Sequence, residues 1–241
     1  MQTVKEAVEI HIPGVPPSLL MSWIVWGILL TLSLAASRKI SMVPNRLQNL
    51  VEFGFQQVFQ LAEDVIGHEA KRFYPLFLGL FFYIFFANLL GLFPGLSSPT
   101  ANINTPAALA VFVFIYYQTL GFKKHGIAYL KHFIVPGLPW WLTPVNILIF
   151  IIEVISHFVR PLSLSIRLFG NLFAKETLLG VLSSLLITFL GLHGGIKLLT
   201  LMPLVLRPVI ILLGVLIGLV QALIFLILTM IYIGSAVKSE H

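Results

Sequence analysis

The chain contains no cysteine, so disulfides, thiol nucleophiles and cysteine-held zinc or iron–sulfur centres are excluded. Charge is nearly as scarce: Asp, Glu, Lys and Arg make up 10% of the 241 residues, against 58% hydrophobic ones. A soluble domain carries about 25% charged residues, and the mean hydropathy of +0.99 lies far from that class. The composition is that of an integral membrane protein. Also missing are a phosphate-cradling glycine loop, a nucleophile motif and a cluster of metal-ligating side chains, so neither soluble catalysis nor a cofactor nor a metal is expected. No internal repeat or low-complexity tract occurs. The formal net charge of +6 reads as basic loops on one membrane face, not as a nucleic-acid surface.

What is present is a series of long apolar runs. Leu19 to Ala36 has no basic leader and is long enough to span, so it is read as a membrane helix and not as a cleaved signal. Further runs extend from Phe73 to Phe93, Ala107 to Phe122, Val145 to about Leu190, and Leu201 to Gly234. Each approaches or exceeds the length that crosses a hydrocarbon core of ~30 Å. Arg38, Lys39, Arg46, Lys71 and Arg72 lie between the first two runs, whereas Pro94 to Pro106 carries no charge. Lys123, Lys124 and Lys131 follow the third run, and Gly191 to Thr200 holds only Lys197. This alternation predicts the N-terminus outside, the Lys238 to His241 tail in the cytoplasm, and an odd number of spans, most simply five.

Between the first two runs, Asn45 to Gly67 carries Leu47, Leu50, Val51, Val58, Leu61, Ala62 and Val65 at helical spacing, with Glu52, Gln56, Gln60, Glu63 and Asp64 among the rest. The pattern predicts an amphipathic helix on the membrane surface or against a partner. The connection from His132 to Thr143, with its prolines and two tryptophans, predicts a segment held at headgroup depth. The expected fold is therefore all-α: one transmembrane domain over residues 1–241 with five membrane helices plus one surface helix.

The fourth run is too long for a single upright crossing. Its ~46 residues would make about 69 Å of straight helix, so it must tilt, bend or fold back, with Pro161 and Gly170 as weak points. At 100° per residue, with Arg167 at zero, Glu153 and Asn171 fall near +40°, Arg160 near +20°, Ser156 near −20° and Ser163 near −40°, each about. One narrow face thus carries a polar stripe ~27 Å long, the pattern of a hydrated or partner-facing surface. Direct pairing along the stripe fails, because i, i+7 spacing is ~10.5 Å. Arg167 is the costliest member: a guanidinium cannot deprotonate, and at a bilayer centre it costs roughly 2.5 to 3.5 kcal/mol on the mildest scale.

Glu176 stands about 180° round from Arg167 and ~13 Å farther along, and Lys175 about 80° round. His157 lies beside the stripe, where it either packs or lines a polar lane. In the last run, beyond Arg207 near its start, Gln221 is the one strongly polar side chain of an otherwise nearly all-aliphatic interior, preceded by Gly214 and Gly218. These small residues predict close packing on the stripe, bringing Gln221 towards Arg167. A fixed cation at this depth can force a moving carboxylic acid to release its proton and can block leakage between two polar lanes. A carboxylate such as Glu176 can take up and pass protons. No moving carboxylate is evident in the chain, so another subunit is expected to supply it.

The run Pro161-Leu-Ser-Leu-Ser-Ile-Arg167-Leu-Phe-Gly-Asn171-Leu-Phe-Ala-Lys-Glu176 resembles the signature of subunit a of F-type ATP synthases, the stator half of a membrane rotor. Asn88-Leu-Leu-Gly-Leu-Phe-Pro94, Pro144-Val-Asn146, Glu153, Ser156 and Gln221-Ala-Leu-Ile-Phe225 follow the family's order as well. The resemblance implies that Arg167 separates two aqueous half-channels and meets the carboxylate of the subunit c ring as it turns. It implies that Glu176, Asn171 and Gln221 line the proton route to the ring, and that Glu153 and Ser156 belong to the opposite, cytoplasmic route. The surface helix would meet the peripheral stalk subunit b. The last two long helices would form a tilted hairpin along the ring, in a bacterial inner membrane. ATP chemistry would lie elsewhere in the complex, and the transported ion, H⁺ or Na⁺, would be the only small substrate, with lipid around it. This chain departs from some relatives in having Lys175 before Glu176 and Gly214 where a titratable partner stands, so Lys175 is expected to tune proton access. The rival reading is a secondary transporter with Arg167 binding an anion, but such folds show two repeated halves, which this sequence lacks. A haem carrier would need facing membrane histidines, and His157 alone lies clearly within a span.

Overall fold

The computed structural model describes residues 15–37, 46–93, 96–126, 143–191 and 200–237, and within them the side chains at 35–37, 46, 47, 50, 143–146 and 153 are outside the description. Arg38, Lys39, Lys131, Lys197, most of the connection after His132 and the Lys238 to His241 tail, used above for orientation, lie outside the described residues, as does the side chain of Glu153.

Helix α1, Pro17–Ser37, starts on a proline, whose missing N–H is harmless at a first helical position. Helix α2, Arg46–Ile66, buries Val58, Ala62 and Ile66 and exposes Glu52, Gln56, Gln60, Glu63 and Asp64, the two faces its spacing predicts. It stops at Gly67, whose φ of 87° is a left-handed terminating conformation that glycine adopts without a Cβ penalty. A 3₁₀ turn, His68–Phe73, leads into α3, Tyr74–Leu90. A second short 3₁₀ turn, Pro99–Ala101, precedes α4, Asn104–His125. Lys123, Lys124 and His125 fill the last turn of α4, where the helix dipole favours cations.

Helix α5, Thr143–Leu190, is 48 residues long, and α6, Leu201–Val237, is 37. Of the three ways to accommodate the overlong run, folding back is not adopted: α5 continues through Pro161. At about 72 Å it must lie steeply tilted or bent to stay within a bilayer. Among the described residues, five segments are long and apolar enough to cross a membrane, Pro17–Leu34, His68–Leu90, Asn104–His125, Ile147–Leu190 and Leu201–Val237. With α2 as the helix outside this set, the architecture is an all-α, multi-span membrane fold.

The second half of α6 is the hub. It packs on α2, α3, α4 and α5 and buries Phe225, Leu226, Met230 and Ile233 against Phe77, Ile84 and Ala87 of α3. Close approach depends on Gly218, where an added Cβ would lie 3.1 Å from the Asn88 Cβ. By contrast the described side chains of α5 bury little more than one stripe, Leu164, Leu168, Leu172 and Leu182 with Ser165 and Lys175, and expose Ile151, Ile155, Leu162, Ile166 and Phe173. Lipid tails are as apolar as these side chains, so such exposure suits lipid or a second subunit.

Candidate functional site: a polar seam between α3, α5 and α6

At 100° per residue the buried leucines of α5 centre about 100° from Arg167, which puts the polar stripe at the edge of the packed face. Asn171 sits at that edge and donates from Nδ2 to Oε1 of Gln221 across a 2.8 Å hydrogen bond. Gln221 is buried, and its Nε2 has no partner among the described residues. Such a buried donor costs free energy unless water or another group meets it. Lys175, one turn farther and on the packed face, is buried and donates from Nζ to the carbonyl of Gly214 at 3.3 Å.

The glycine face of α6 therefore serves a different neighbour from the one its spacing suggests. Gly218 and Gly214 lie against the end of α3, at Asn88 and Leu92, and of these three positions Gln221 reaches the stripe, through Asn171. An added Cβ on Gly214 would approach the Leu92 Cδ2 to 2.5 Å.

Glu176 points to a third element. Its Oε1 accepts from the backbone N–H of Ser98 at 2.8 Å, in the turn after α3. The Ser98 hydroxyl donates to the carbonyl of Ala87 at 2.7 Å and lies 2.8 Å from Oγ1 of Thr100. That threonine donates to Oδ1 of Asn88 at 3.2 Å, and Asn88 Nδ2 donates to the carbonyl of Gly218 at 3.0 Å. Asn88, Ser98 and Thr100 are all buried. A polar chain thus runs from the Glu176 carboxylate through the backbone N–H of Ser98, then by the Ser98 and Thr100 hydroxyls and the Asn88 amide, to the backbone of α6. Hydroxyls can donate and accept in turn, and a carboxylate can bind and release a proton. Gly91 makes room for it: an added Cβ there would come within 2.7 Å of Ser98 Cβ and 3.3 Å of Glu176 Oε1.

Asn88, Ser98 and Thr100 join the site only in the folded chain. In the sequence, Pro94 to Pro106 is a loop without charge. The available signal was Ser98-Pro-Thr, a helix-start pattern, and Ser98 does accept from the Thr100 N–H at its turn.

Towards the other end of the stripe, Arg160 stacks over the Tyr232 ring, its guanidinium carbon 5.3 Å from the centroid, a cation–π contact. The Tyr117 ring lies 5.5 Å from Tyr232 and 6.5 Å from the half-buried His157. Ser156 is partly buried, and Ser163 is exposed. Arg167 differs from all of them. It is exposed, midway along an apolar helix, and among the described residues it has no hydrogen bond, ion pair or ring contact. Arg167 and Glu176 are not brought together, being nine residues or ~13 Å apart along α5.

Residues 19–234 match the family model described as ATP synthase A chain. Over 220 residues, 91% of this chain, it is 39% identical to ATP synthase subunit a 1 of Syntrophotalea carbinolica, covering 85% of that protein. It is 40% identical to ATP synthase subunit a of Geotalea uraniireducens and 38% identical to that of Geobacter sulfurreducens, in both cases across 91% of this chain and 87% of the relative.

Proposed function

This chain belongs to the ATP synthase A chain family, and on that premise we propose that Arg167 is the electrostatic gate of its proton path. Membership makes the chain a non-catalytic component of a proton-transporting ATP synthase, embedded in a membrane as part of the stator. It favours the stator role over an anion transporter.

In this reading α5 and α6 form the tilted hairpin that borders a ring of c subunits. A ring carboxylic acid reaching Arg167 gives up its proton, because a permanent guanidinium beside it favours the ionised form. The same cation prevents a proton from passing straight between the two half-channels, since a positive charge in a low-dielectric region repels it. One half-channel runs by Glu176, Asn171 and Gln221, with Asn88, Ser98 and Thr100 extending it towards α3. The other runs by Glu153, Ser156 and His157 towards the cytoplasm. Lys175 adjusts proton access from beside Glu176. Helix α2, whose exposed face is rich in Glu and Gln and carries an exposed Phe53, meets the stalk subunit b. The chain folds as one transmembrane domain over residues 1–241, with its N-terminus outside and its C-terminus in the cytoplasm of a bacterium.

The observation that carries this reading is the exposed Arg167 on the least buried helix, set against Arg160, which has Tyr232. A cation held at membrane depth with no partner among the described residues calls for one outside them, and a ring carboxylate supplies it. The absence of native cysteine makes the test clean. Ser163→Cys and Ala174→Cys, both exposed beside Arg167, should cross-link in the assembled complex to a cysteine placed next to the ring carboxylate. Cross-links confined to positions on the packed face of α5, such as Leu168→Cys, would overturn it.

A further inference from the structure

A second charged locus lies far from the seam, where α3 begins and α4 ends. A cavity of about 640 Å³ opens there, and its lining includes Lys71, Arg72, Lys123 and Lys124 with His68, against a single carboxylate, Glu69. Glu69 is taken by Lys124 at 3.1 Å. Lys124 also donates to the carbonyl of Val237, so its charge is spent tying the end of α6 to α4. Lys71, Arg72 and Lys123 are exposed and, among the described residues, have no ion pair. Three cations, from the 3₁₀ turn and the end of α4, thus converge on one cavity without a counter-ion among the described residues.

The remaining lining is apolar. Leu120 is half-buried and Phe73 buried, each within a turn of a cation and inside a segment long and apolar enough to cross a membrane. A group that satisfies both halves is a phosphodiester carried on a hydrophobic anchor. Arginine matches a phosphate bidentately and lysine adds point charge, while basic pockets between helix ends suit anionic headgroups. We propose that this cavity is a binding site for the headgroup of an anionic phospholipid, with Arg72, Lys71 and Lys123 on the phosphate. The site holds a lipid at the junction of α3, α4 and the end of α6, apart from the ion path, and stands or falls independently of Arg167.

The full chain, purified in a neutral detergent, would be titrated with phosphatidylglycerol or phosphatidylcholine and bound lipid counted by native mass spectrometry. One phosphatidylglycerol should bind at least about tenfold more tightly than phosphatidylcholine, given the roughly fivefold attraction contributed by each nearby cation. The preference should disappear in Lys71→Gln/Arg72→Gln/Lys123→Gln and persist in Lys71→Arg/Lys123→Arg, which keeps the charge. Equal binding of the two lipids by the unmodified chain would overturn the proposal, whatever the folding of the variants. So would displacement of phosphatidylglycerol by an equal concentration of inorganic phosphate, which would make the site one for a free anion. An unchanged lipid preference in the triple glutamine variant, accompanied by loss of the stalk subunit from the assembled complex, would overturn it as well and assign the cavity to an acidic protein segment.

Discussion

Asn171 and Gln221 share one hydrogen bond of 2.8 Å, and removing either side has a different cost from removing both. Asn171→Leu leaves the buried Gln221 amide without its donor, a penalty of about 1–3 kcal/mol. The double change Asn171→Leu/Gln221→Leu removes both polar groups and should recover much of the lost stability. Thermal unfolding in detergent checks this: the double variant should melt above Asn171→Leu, and a strictly additive loss would refute the coupling. Lys175 gives a second test, on function. Its contact with the Gly214 carbonyl and its place beside Glu176 lead us to expect that Lys175→Gly shifts the pH dependence of ATP-driven proton pumping, and an unchanged profile would count against a tuning role. The direction of the stripe was legible in the sequence because helical geometry fixes angles from residue number alone. The partner of Glu176 was not, because Ser98 lies 78 positions away in sequence and only the folded turn after α3 brings it near.

At the scale of elements, the polar seam depends on a turn that glycine keeps narrow. Gly91→Val would drive a side chain into Ser98 and towards Glu176, and neither the Ser98 backbone nor the carboxylate can yield without breaking their bond. Proton flux through the assembled complex should fall sharply in this variant. Gly214→Ala is the control: its added Cβ meets the flexible end of Leu92, which can rotate away, so most flux should remain. Comparable losses in the two variants would show that the Gly91 turn has no special place. The five membrane-length segments among the described residues were readable because such apolar runs are long, strong signals. The amphipathic helix α2 was readable too, since its two faces alternate at helical spacing. The direction of the α6 glycines was not, because small residues say that a backbone comes close without saying whose. Here it is the end of α3 that meets Gly214 and Gly218, while Gln221, the Gly214 carbonyl and Tyr232 meet α5.

For the whole molecule, the arrangement places a well-packed hub, α6 with α3, beside a long helix that buries little of itself. That division suits a stator, in which a rigid body must hold one face steady against something that moves. Orientation is testable on the intact molecule. With no native cysteine, Asn102→Cys should react with a membrane-impermeant thiol reagent from outside the cell, and Lys123→Cys only after permeabilisation; the reverse would invert the assigned topology. The gate itself is tested most directly by proton flux in reconstituted ATP synthase carrying Arg167→Ala, since alanine removes the charge with little demand on packing at an exposed position. The account predicts that ATP-driven pumping is lost while protons pass passively through the membrane sector, and normal ATP-driven pumping by the variant would contradict it.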